Sequence, residues 1–81
     1  YELDATLEGL VLVLQNEDRP GVIGAVGTIL GKRQINVARM QVGLDQGQAF
    51  ALWNIDQQIP DDAMKELRAL PHVRSVLLVK L

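Results

Sequence analysis

The distribution of apolar positions changes period several times along the chain. Leu10-Val11-Leu12-Val13-Leu14 is a continuous apolar run, too short for a core helix, and predicts a strand buried on both faces. From Pro20 to about Gln34 the period becomes helical, with Val22, Ile23, Val26, Ile29 and Leu30 on one stripe. Residues 37–44 alternate, Ala38, Met40 and Val42 against Arg39 and Gln41, as a half-exposed strand does. Asp45-Gln46-Gly47 supplies turn chemistry, and residues 49–56 form the next strand, with Ala49, Ala51, Trp53 and Ile55 on one face. Pro60 opens a second helix. Asp61 and Asp62 lie in its first turn, where carboxylates suit the dipole, and Ala63, Met64, Leu67 and Leu70 form its apolar face. Pro71 ends it, and residues 73–81 form a last strand around Val76-Leu77-Leu78-Val79.

The predicted order is β-α-β-β-α-β, the signature of a ferredoxin-like split βαβ sandwich of the α+β class. Right-handed crossovers put the first and third strands at the centre of a four-stranded antiparallel sheet, with both helices on one face. The other face should then be polar. Instead the first strand is apolar on both sides, and Phe50 and Leu52 share the third strand with Trp53. Either this is a modest exposed patch, or another subunit or domain covers part of it.

Composition narrows the function classes. Eighty-one residues suit one small domain with little stability to spare. A net charge of −2, with no basic run longer than Lys32-Arg33, argues against nucleic acid as a partner. With aromatics at 4% of the chain, the stacking platform of RNA-binding sandwiches is also missing. No run is long and apolar enough for a membrane partner. The absence of cysteine excludes disulfides, thiolate zinc sites and cysteine nucleophiles, and fits a cytoplasmic protein. The acidic start Tyr1-Glu2-Leu3-Asp4 is no signal peptide. The lack of an initiator methionine suggests a fragment of a longer protein, with residues 1–7 as a linker or the end of a preceding domain and 8–81 as the domain itself.

The stretch NEDRPGVIGAVGTILG, residues 16–31, carries the candidate chemistry. Its glycines match neither the dinucleotide fingerprint nor the P-loop. Gly24, Gly27 and Gly31, joined by Thr28, fall on the helix side opposite the apolar stripe. There they form either a docking face or a tolerated, solvated one. Gly21 belongs to the helix start. There the backbone N–H groups of Gly21 and Val22 make a small anion site helped by the dipole. Asn16 and Asp18, just upstream, offer acceptors for an ammonium, so the segment could hold a zwitterionic amino acid. Asn36, after the helix, is expected near the same edge. The plainer alternative is that Asp18 caps the helix and Asn16 makes a turn. His72, the single histidine, reads as a surface residue at a helix end, and no cluster resembles a metal or catalytic site.

DRPGVIGAVGTILGKRQINVARMQVG, followed by FALWNID and LPHVRSVLLVKL, resembles the ACT domain family, and within it the regulatory ACT domains of D-3-phosphoglycerate dehydrogenases. The resemblance covers residues 8–81. It implies a βαββαβ module that pairs side by side as a homodimer, often extending its sheet across two subunits. It further implies a small amino-acid ligand, L-serine in the dehydrogenases, held as feedback inhibitor between the first strand–helix loop and the partner. Carried over by position, Asn16, Asp18, Arg19, Pro20, Gly21, Val22 and Asn36 are the ligand-binding residues. The domain itself would need no cofactor, while the catalytic domains of the parent chain, its other partners, would bind NAD. Two positions depart from serine-sensitive members, some of which carry histidine in place of Asn16 and asparagine in place of Asp18; Asn36 is retained. Other readings are an ACT module of another amino-acid enzyme, such as the serine dehydratase β subunit, or an assembly-only module. A remote one is an acylphosphatase-like enzyme using Arg19 and Asn36, against which Pro20 removes a backbone donor from the anion cradle.

Overall fold

The computed structural model describes residues 9–81. The expected linker at 1–7 lies outside them. Six elements follow the predicted order: β1 (Leu10–Glu17), α1 (Val22–Lys32), β2 (Val37–Asp45), β3 (Gln48–Ile55), α2 (Asp61–Ala69) and β4 (Val73–Lys80). The strands form one sheet in the order β2-β3-β1-β4, antiparallel throughout, so β1 and β3 are central as expected.

Register decides which side chains meet. Leu12 is opposite Trp53 and Leu14 opposite Ala51 on β3, while Leu78 and Val76 flank the same two leucines on β4. This face packs against Val26, Ile29 and Leu30 of α1 and Ala63, Met64 and Leu67 of α2, making one contiguous core. Trp53 is buried in that core, as the alternation predicts, and its indole Nε1 has no hydrogen-bond acceptor there. The opposite face carries Val13 and Leu52, half-buried, together with exposed Phe50 and Leu77. The second apolar surface is therefore present.

Three boundaries depart from the sequence pattern. β1 runs three residues beyond its apolar run because Gln15, Asn16 and Glu17 keep pairing with Phe50, Ala49 and Gln48. The ladder is backbone chemistry and continues where hydrophobicity stops. Pro20 is not the first helical residue. Gly21, at φ 89°, is the N-cap, and α1 begins at Val22. A left-handed residue at the cap is cheap only for glycine. At its other end α1 closes with Ile35 N–H donating to Leu30 O at 3.0 Å, around Gln34 at φ 59°, a Schellman-type stop without the usual glycine. The β2–β3 hairpin turns on Gln46 and Gly47, both at positive φ, as a two-residue primed turn requires.

Candidate functional site

One end of the sheet collects most of the predicted residues. β1 ends at Glu17, paired with Gln48 beside the hairpin, and the chain then passes through Asp18, Arg19 and Pro20 to the start of α1. The backbone N–H of Asp18 donates to Gly47 O at 2.8 Å, which ties this loop to the hairpin and leaves the Asp18 side chain exposed. The first bond of the helix runs from Ala25 N–H to Gly21 O at 2.9 Å. The amides of Val22, Ile23 and Gly24 therefore have no partner one turn back. They give this point the partial positive charge that draws a carboxylate.

No side chain caps α1, so Asp18 does not spend its carboxylate on the helix. Asn16 is also placed otherwise than a turn residue would be. It is the seventh residue of β1, only 2% exposed, on the helix side of the sheet. Its Nδ2 donates to Glu17 O at 2.7 Å, while its Oδ1 is buried without a donor. A buried acceptor left open costs stability, and Gln48 Oε1, opposite Glu17 at the same end, is a second such atom.

Alongside lies a cleft of about 290 Å³, lined by Pro20, Gly21, Val22 and Ala25 on one side and Leu70, Pro71 and His72 on the other. The α2–β4 turn that supplies its second wall is about fifty positions away in sequence, so no local motif announces it. Only the β1–β4 pairing brings it here: Glu17 N–H donates to His72 O at 2.8 Å. His72 adopts φ 71°, an uncommon left-handed conformation for a residue with a side chain. Glu17 faces three basic side chains at this rim, Arg19 at 3.5 Å and His72 and Arg74 each at 3.7 Å. These pairs are long and partly exposed, and so individually weak.

Asn36 corrects the sequence reading. It immediately precedes β2 at the opposite end of the sheet, where its N–H donates to Asp56 Oδ1 at 3.0 Å and Asp56 N–H donates back to Asn36 O at 3.2 Å. Asp56 follows Ile55, which pairs with Leu10, whereas the 18–22 loop follows Glu17. The two ends of that ladder are separated by about 23 Å at the usual rise per strand residue. An α-helix leaves one end of a sheet and delivers the chain to the other, which the expectation of a shared edge overlooked. The same separation removes the acylphosphatase-like constellation, since Arg19 and Asn36 cannot converge on one phosphate within a protomer. Among the described residues no group of three or more histidine, aspartate or glutamate side chains could hold a metal ion. Nor is any helix long and apolar enough to cross a membrane.

The glycine stripe behaves as its spacing suggests. A Cβ built on Gly24, Gly27 or Gly31 meets nothing within 4 Å. Thr28 Oγ1 donates to Gly24 O at 2.9 Å along the same face. The edge strand β2 shows Met40, Val42 and Leu44, all exposed although their partners Trp53, Ala51 and Ala49 are buried in the core. Neither helix reaches far enough to cover them.

Fold and loop together define a βαββαβ module with an open strand–helix loop, and the ACT domain family profile matches residues 10–72. The chain belongs to the ACT domain family. It is 39% identical, over an 83-residue alignment spanning all of it, to a D-3-phosphoglycerate dehydrogenase of Bacillus subtilis. It is 34% identical over the same span to one of Methanocaldococcus jannaschii. The chain spans 16% of the length of either relative, so their catalytic parts lie elsewhere. Among solved structures, the ACT domain from GTP pyrophosphokinase of Chlorobium tepidum superposes with a TM-score of 0.70 at 17% identity, over 89% of this chain and 97% of that one. The regulatory subunit of aspartate kinase from Thermus thermophilus superposes at 0.71 with 20% identity, over 90% of this chain and 51% of that one. These two likenesses establish the shared fold.

Proposed function

We propose that this chain is the amino-acid-sensing module of a D-3-phosphoglycerate dehydrogenase, with L-serine as feedback ligand, acting as a homodimer. In this reading the ligand carboxylate sits at the α1 start and its ammonium faces Asp18 and the open Oδ1 of Asn16. The observation that carries it is the placement of Asn36 at the far end of the protomer, which leaves the 18–22 loop with half a site. Two copies paired antiparallel along their β2 edges exchange ends. The Asn36 end of one copy then lies at the same end of the joined sheet as the other copy's 18–22 loop. The bare β2 edge and the exposed Met40, Val42 and Leu44 are on the side where such a partner docks, and the glycine face of α1 is open as well.

An effector held between two protomers shifts the parent enzyme only by binding one arrangement of them better than another. NAD would belong to the catalytic part of that parent, and this domain supplies no cofactor chemistry. The test is calorimetric titration of L-serine and a panel of other amino acids, with sedimentation measured alongside. Serine binding to a dimer, lost in Asp18→Ala and in Asn36→Ala, is the expected result. A dimer that binds no amino acid leaves the module with assembly alone. Preference for another amino acid reassigns the parent enzyme, for instance to a serine dehydratase β subunit.

A further inference from the structure

The entrance to β2 is tied to the β3–α2 loop by three hydrogen bonds. Asn36 and Asp56 exchange two hydrogen bonds, one through the Asp56 carboxylate at 3.0 Å and one through its backbone at 3.2 Å. One residue after Asp56 and two before Asn36, Gln57 Nε2 donates to Gln34 O at 2.6 Å. Gln34 itself is locked in the left-handed conformation at the helix stop. Just beyond, the β2–β3 register breaks between Val37 and Arg39, so ordinary ladder pairing does not run evenly through this entrance. The β3–α2 loop supplies the missing constraint with side chains. What it steadies is the backbone of Asn36, whose side-chain amide is exposed and makes no hydrogen bond among the described residues.

We propose that Asp56 is a positioning residue for ligand binding: it fixes the backbone of Asn36 so that the Asn36 amide is already oriented for a ligand on the partner protomer. This rests on the interface reading above. A side chain that must reach across a subunit boundary loses affinity with every backbone conformation it samples beforehand, and a held backbone avoids that loss. The Asp56 carboxylate acts here as a hydrogen-bond acceptor. A neutral acceptor of the same shape should therefore serve nearly as well.

The experiment is titration of L-serine and the amino-acid panel into the 81-residue chain. The variants are Asp56→Ala, Asp56→Asn, Asn36→Ala and Asn36→Ala/Asp56→Ala, with thermal melts on each. Arg33→Ala serves as a control, because it loosens the same end of the fold without touching the Asn36–Asp56 bonds. Asp56→Ala is expected to weaken binding about tenfold, while Asp56→Asn stays within about threefold of wild type. The double variant should bind no more weakly than Asn36→Ala alone, since coupled residues are non-additive. Arg33→Ala should lower the melting temperature and leave affinity within about twofold.

Three results overturn the proposal. They are unchanged binding in Asp56→Ala, a further loss from Asp56→Ala in the Asn36→Ala background, and equal losses in Asp56→Asn and Asp56→Ala. A wild-type chain that binds no amino acid, or one whose binding ignores Asn36→Ala, overturns instead the interface reading on which the proposal stands. If Asp56→Ala fails to fold, Asp56→Asn with Arg33→Ala decides: retained affinity in a folded Asp56→Asn supports positioning, and its loss overturns it.

Discussion

The two ends of the sheet are built differently. At the end holding Asn36, Arg33 reaches Asp62 at 2.8 Å and Glu66 at 2.9 Å, Gln57 reaches Gln34 at 2.6 Å, and Asn36 and Asp56 exchange bonds. At the end holding Asp18, the ion pairs around Glu17 stretch to 3.5–3.7 Å, Asn16 Oδ1 is buried without a donor, and a cleft opens beside the helix start. One end spends its polar groups on itself; the other keeps donors and acceptors uncommitted. Binding sites carry such unspent capacity at a cost in stability that the rest of the fold must cover.

The largest test of that division is in the core. Leu30 is fully buried near the well-bonded end of α1, and Val22 is buried at its open start. Leu30→Ala should cost about 2–5 kcal/mol, measured as a shift in urea midpoint. Val22→Ala removes less apolar volume and should cost roughly 1–2 kcal/mol, while disturbing ligand binding more than Leu30→Ala does. If Val22→Ala were the costlier of the two, the open end would be carrying the fold and the comparison would be reversed.

Two glycines on the same helix sharpen it next. Gly21 holds φ 89°, with open space where a Cβ would go, so Gly21→Ala pays for backbone conformation alone, roughly 1–2 kcal/mol. It should also distort the turn and weaken ligand binding. Gly27 has ordinary helical backbone and the same open space, so Gly27→Ala should stabilise an isolated protomer by up to ~1 kcal/mol. If the glycine face is a docking surface, the same change should weaken dimerisation in sedimentation. Equal association for wild type and Gly27→Ala would return that face to solvent.

The elements themselves were legible because burial has a period. The alternation of Ala49, Ala51, Trp53 and Ile55 and the stripe of Val22, Val26, Ile29 and Leu30 point into the core as the pattern requires. The loop from Asp18 to Val22 was legible too, because its residues are neighbours in sequence. What sequence could not convey was anything joining distant segments. His72 and Leu70 reach the cleft only through the β1–β4 ladder, and Arg33 meets Asp62 and Glu66 only because α1 and α2 lie side by side. Asn16 was visible as a polar residue but not as a buried one, since the apolar run stops two residues before it. Asn36 was misplaced for a plainer reason: its distance from Asp18 is set by the length of α1 and the direction of β2, and neither is a local property.

The smallest effect concerns the charges at the well-bonded end. Hydrogen bonds from Arg33, ahead of the opposing desolvation, hold the carboxyls of Asp62 and Glu66 below their ordinary range. A depressed folded-state value means that the unfolded chain binds protons first as pH falls. The stabilisation is therefore fully present above the ordinary carboxylate range near about 4 and is lost as pH falls through the lower folded values. Because the groups are solvent-exposed the loss should be modest and should shrink further in high salt. In urea titrations at neutral pH, Arg33→Ala should sit slightly below wild type, and the gap should close as pH drops below that range. A gap that persists in acid would mean that Arg33 stabilises the helix pair through its aliphatic stem and not its charge. The Asp18 end supplies the contrast. Its contacts with Glu17 are longer and shared among Arg19, Arg74 and His72. Arg74→Ala should therefore leave the urea midpoint closer to wild type at every pH than Arg33→Ala does.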